Sequence, residues 1–72
     1  MTTNYVVCID NAGYPVSLEL RKIYRRLPDA RAEGDGLLRV VDESGEDYLY
    51  PESLFMAILL PEEVEKVFAS VG

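Results

Sequence analysis

Short runs of β-branched and aromatic residues alternate along this chain with clusters of turn formers, a rhythm that predicts a small β-sheet with helix confined to one end. Tyr5–Asp10 reads as the first strand, closed by the turn cluster Asn11-Ala12-Gly13. Lys22–Leu27 reads as the second. Pro28 follows it, and a proline there denies a central strand its ladder donor and holds Leu27 extended. Ala30–Gly36 reads as a polar loop, and Leu37–Asp42 resumes strand character. Glu43-Ser44-Gly45-Glu46 is a tight turn in which the glycine supplies positive φ, so Leu37–Asp42 and Asp47–Tyr50 should form a hairpin. Pro51-Glu52-Ser53 then breaks the chain before a last strand, Leu54–Leu60.

That last strand is apolar at every position. Alternate side chains of a strand point to opposite faces, so both of its faces need cover. The tail offers one. Pro61 suits a first helical position, Glu62 and Glu63 complement the helix N-terminus, and Val64, Val67, Phe68 and Val71 fall on one stripe. A helix this short is marginal alone in water. The expectation is that residues 61–71 dock on the outer face of the last strand, with contact to a second subunit as the alternative.

Strand two holds a conflict. One of its faces carries Lys22, Tyr24 and Arg26 and the other Ile23, Arg25 and Leu27, so an arginine points inward either way. At the rim its stem can lie on apolar surface while its head reaches solvent or an acid such as Glu46 or Asp47, or anchors an acidic group of a partner.

With 72 residues the chain forms a single domain, sheet over about 4–60 and helix over about 61–71. The lone Cys8 cannot make an intrachain disulfide, and the absence of histidine excludes the usual zinc sites. Cys8 lies mid-strand between Val7 and Ile9 with no histidine partner and reads as a buried thiol. Met1–Asn4 lacks the basic patch and apolar stretch of a secretory leader, and the longest apolar run is too short to span a bilayer. A cytoplasmic protein without a membrane contact is expected.

Net charge is −6, unevenly spread. Residues 1–20 carry two acids and no base, residues 21–39 six bases against three acids, and residues 40–72 eight acids against one base. An acidic chain repels phosphate backbones, which makes nucleic acid an unlikely partner. The strip from Arg21 to Arg39 is the exception. Arg25, Arg26 and Arg39, with Tyr24 interleaved, are the candidate anion contacts for a single strand or an acidic ligand.

No pair or triad of side chains is spaced for catalysis, and none for a cofactor. The run Asp42–Asp47 lacks the order of a calcium loop and reads as a solvated hairpin tip, so no metal is expected. Five tyrosines in a chain without tryptophan are more suggestive, since tyrosine offers a large amphipathic contact. Tyr14, Leu37, Tyr48, Tyr50, Pro51 and Leu54 are the candidate protein-contact residues.

The order of these features resembles the SH3-like small β-barrel over roughly residues 5–58. The long loop Asn11–Arg21 stands between the first two strands, Ser44-Gly45 in place of the distal hairpin, and Leu49-Tyr50-Pro51-Glu52-Ser53-Leu54-Phe55 where that barrel has strand, short turn and final strand. The resemblance implies a mainly β fold, a five-stranded SH3-like barrel to which the C-terminal α-helix is an addition. It also implies Cys8 and Val40 at inward positions. In SH3 domains an aromatic groove binds proline-rich peptides. The groove tryptophan of that family falls near Leu37, its proline on Pro51 and its following tyrosine on Leu54, and the two leucines weaken stacking on proline rings. The chain is similar as well to short uncharacterised bacterial proteins with Lys-Ile-Tyr-Arg and Asp-Glu-Ser-Gly-Glu-Asp-Tyr-Leu-Tyr-Pro segments. The expected function is a small non-catalytic protein-interaction module, able to form a homodimer. Nucleic-acid or acidic-ligand binding, and service as an accessory subunit of an enzyme, are the alternatives.

Overall fold

A computed structural model describes residues 4–71, and their side chains except at positions 65 and 68–71. Five strands form one antiparallel sheet: β1 (Tyr5–Cys8), β2 (Ile23–Leu27), β3 (Leu37–Val41), β4 (Asp47–Pro51) and β5 (Phe55–Ile58). Their order is β4-β3-β2-β1-β5, so the last strand returns to the side of the first. Helix α1 (Ala30–Gly34) lies between β2 and β3, a 3-10 turn (Glu52–Leu54) leads into β5, and α2 (Glu62–Val71) follows it.

The sheet is open, which corrects the expectation of a closed barrel. β4 and β5 are its two edges, because the chain passes between them through the 3-10 turn instead of a hairpin. β2 serves two ladders in succession. Ile23–Arg25 pair with β1, and Arg26–Leu27 with β3. The two ladders meet across one core, in which Val6, Cys8, Tyr24 and Phe55 pack with Val40 and Tyr50. Cys8 and Val40 are inward and fully buried, as their strand positions require.

Two core residues come from outside the strands. Leu18 is 0% exposed, although it belongs to the long loop between β1 and β2. Asn11 Nδ2 donates to the Leu18 carbonyl at 2.9 Å and the Leu18 N–H donates to the Tyr14 carbonyl at 2.9 Å, so the loop spends its polar groups on itself. Leu54, expected in the last strand, sits in the 3-10 turn and is buried.

The expected polar loop over Ala30–Gly36 is in part the helix α1. Asp29 is its N-cap: Oδ1 accepts from the Ala32 N–H at 3.1 Å, and Glu33 Oε2 accepts from the Asp29 N–H at 3.1 Å. These reciprocal bonds satisfy donors that a helix start otherwise leaves bare. The β3–β4 turn is as expected, with Gly45 at φ 84°.

β5 shows both apolar faces that its sequence predicts, and they are covered unequally. Tyr5 of β1 stands opposite Ile58 and is 4% exposed, yet Met56 is 56% exposed and Leu59 71%. On α2, Val64 and Val67 are 39% and 59% exposed, while Phe68 and Val71 lie outside the described side chains. Met56 thus stands open on the outer face on which the tail was expected to dock. Among the described residues no helix is long and apolar enough to cross a membrane.

Candidate functional site

The basic strip is largely neutralised by the protein's own acids. Tyr24 is buried, so the face of β2 that carries Arg26 points inward and Arg25 points out, exposed. Arg26 Nη2 reaches Glu33 Oε2 of α1 at 2.6 Å, not the expected Glu46 or Asp47. Arg26 holds the Glu33 carboxyl below the usual glutamate range, helped by the Asp29 N–H. Arg39 bridges two acids, with Nη2 at 2.9 Å from Asp29 Oδ2 and Nη1 at 2.7 Å from Asp47 Oδ2. The Ala32 N–H and then Arg39 depress the Asp29 carboxyl. Of the three candidate anion contacts, two are thus occupied by carboxylates of α1, its cap and β4, and Arg25 stands apart on the outer face.

The hairpin tip is exposed from Glu43 to Asp47, as expected, and its acids also anchor neighbouring elements. Glu43 accepts a hydrogen bond from the Tyr24 hydroxyl and an ion pair from Lys22 Nζ at 2.6 Å, and these, Lys22 first, lower its carboxyl. Tyr24 donates to Glu43 and accepts from the Glu19 N–H at 2.7 Å, so one phenol ties together strand, loop and tip. Asp42 Oδ2 accepts from the Tyr50 hydroxyl at 2.5 Å, while Oδ1 accepts from the Ser44 N–H at 2.9 Å. Burial works against the Asp42 charge, but the bonds from Ser44 and Tyr50 outweigh it and its carboxyl is lowered. Burial, and then Asp42, push the Tyr50 phenol up to about 12. Among the described residues no group of three histidine, cysteine, aspartate or glutamate side chains is placed to hold a metal. Cys8 is buried, its Sγ donating to the Asp10 carbonyl at 3.4 Å, and burial pushes the thiol up.

The six expected contact residues do not form one surface. Tyr50 is 1% exposed and Leu54 7%, which makes them core and corrects their assignment as contacts. Tyr14 meets the Tyr50 ring edge-on at 5.0 Å, half-buried, and Tyr48 lies 5.3 Å from Tyr50 with 59% of its surface exposed. Leu37 and Pro51 pair with each other across β3 and β4, both half-buried.

What the sequence did not indicate is a groove beside β5. Val6, Leu38 and Phe55 form its floor, and Arg26, Glu33 and Glu52 its polar rim. Ala57 lines it as well, and Ala57 also bears the open edge of the sheet. The Ile9 N–H donates to the Leu54 carbonyl at 2.8 Å, and Val7 stands opposite Met56 and Tyr5 opposite Ile58. In an antiparallel ladder bonded positions alternate, so Leu54, Met56 and Ile58 bond toward β1 while Ala57 turns its N–H and C=O to the edge. The Phe55 N–H, which points the same way, is held by the Glu52 carbonyl. The Glu52 N–H in turn donates to Gly36 O at 2.9 Å, tying the rim to the start of β3. Compared with known proteins, the chain matches no family model, no curated protein and no solved structure.

Proposed function

We propose that this chain is a small non-catalytic protein-interaction module of SH3-like build that engages its partner through β5 and the surfaces flanking it. The return of β5 to β1 and the 3-10 turn ahead of β5 support the SH3-like reading. One observation carries the function: an edge strand whose backbone is open at Ala57 also exposes Met56, with the exposed Leu59 just beyond its end. Unpaired, apolar strand edges are association sites unless a protein blunts them by shortness, charge, proline or a bulge, and Phe55–Ile58, though only four residues long, carries no charge, proline or bulge. The acids at the hairpin tip and beside α1 are taken up by internal bonds, which supports a structural role for them in place of an acid–base one.

Photo-crosslinking in the native cell tests the reading. A photoreactive residue in place of Met56 should give a discrete protein adduct, and one in place of Arg31, exposed on α1, should give none. Equal adducts from both positions, or none from Met56, would refute it.

A further inference from the structure

The groove beside β5 has a shape, an open backbone edge and a charge, and together they select an occupant. Ala57 presents its N–H and C=O to the groove, as a strand does to a missing neighbour. Val6 and Phe55 close the floor as core residues, and the half-buried Leu38 with the exposed Ala57 leaves apolar surface beside an open strand edge, the setting in which peptides add a strand to a sheet. Of the rim charges, Arg26 is spent on Glu33 at 2.6 Å, and Glu52 is left exposed without an ion pair among the described residues. The rim is net negative.

A second copy of this chain fits that rim poorly. Its own apolar run, Leu54–Leu60, is bounded by Glu52 on one side and Glu62-Glu63 on the other. If two β5 strands paired antiparallel about Ala57, the 3-10 turn of each, with Glu52, would be brought to the same end as the start of the other's α2, with Glu62 and Glu63, acid against acid. Each copy also brings a net charge of −6.

We infer that the β5 groove takes an extended segment of another protein, apolar at alternate positions and flanked by lysine or arginine, which adds a strand at Ala57 and sets a base against Glu52. This rests on the interaction-module reading above and names the partner's chemistry at the same strand.

The test uses the full chain and two synthetic peptides of one alternating Val-Thr core, one flanked by lysines and the other by glutamates. Amide NMR of the full chain should show the lysine-flanked peptide shifting and protecting Ala57 and its neighbours, with the glutamate-flanked peptide weaker by about fivefold or more. Glu52→Lys should reverse the order of the two peptides without disturbing the fold, since Glu52 is exposed. Ala57→Pro, which removes the edge donor, should abolish the effect, and a preserved spectrum elsewhere would show that the variant folds. Equal binding of the two peptides, shifts at Met56 and Val64 with none at Ala57, or a doubling of solution mass without peptide would each overturn the inference. Crosslinks from position 56 together with silent peptides would sink this inference and leave the interaction module standing.

Discussion

The Tyr50–Asp42 bond is the contact whose removal tests most directly how this small core is held. Tyr50→Phe deletes one oxygen and leaves the ring among Tyr14, Tyr48 and Phe55. A hydrogen bond to a charged group contributes about 1.5–3 kcal/mol. Asp42 is only half-buried and keeps its bonds from Ser44, so water can replace part of the loss and the lower end, about 1.5 kcal/mol, is expected. For a domain of this size that is a fall in Tm of roughly 6–12 °C, set against a total stability on the order of 4–11 kcal/mol. The pH dependence is a second signature. Asp42 has a depressed carboxyl in the fold, so its contribution is present above the unfolded aspartate value and is lost as pH falls through the folded one. The gap between wild type and Tyr50→Phe should therefore narrow below about pH 4. Chemical denaturation of both proteins from neutral to acid pH measures this. A gap under about 0.5 kcal/mol at neutral pH, or one that stays constant into acid, would refute the reasoning.

Alkali should act on the same phenols from the other side. Burial raises both Tyr24 and Tyr50 above the ordinary tyrosine value, so the stability they carry is complete below about pH 10 and is lost as pH rises through their folded values, about 12 for Tyr50, with phenolate absorbance appearing together with unfolding. Leu18→Ala, at a fully buried loop position, should cost about 2–5 kcal/mol by denaturant titration, and a cost below about 1 kcal/mol would mean that the loop is not part of the core. Cys8 should react with a thiol reagent only when the sheet opens, so its labelling rate should track stability across denaturant concentrations, and rapid labelling in buffer would contradict its burial. Asp29→Ala removes both the α1 cap and one partner of Arg39, and hydrogen exchange at Ala32–Gly36 should accelerate before exchange in β1 does.

The strands were legible because turn formers separate them: Gly13 after β1, Pro28 after β2, Gly45 between β3 and β4, and Pro51 at the end of β4 ahead of the 3-10 turn. Cys8 and Val40 follow from strand alternation alone. Helix α1 was hidden by its neighbours Pro28, Gly34 and Gly36, which read as loop, although Asp29 before Ala-Arg-Ala-Glu is a usable start signal. The partner of Arg26 was missed for the same reason, since Glu33 reaches it only when α1 forms. Leu18 gave no periodic signal, because a loop folded over a core has no fixed spacing. The groove could not be read at all. Which strand ends up at an edge depends on pairing between Tyr5 and Ile58, far apart in sequence, and local pattern carries no information about that choice.

β1 sits between β2 and β5, and its second neighbour is made from residues 55–58. During synthesis the first strand therefore waits for nearly all of the following chain before its ladder is complete. A chain cut before residue 55 would leave the flank of Tyr5–Cys8 bare, so the first strand gains its second neighbour only from the last strand of the sheet.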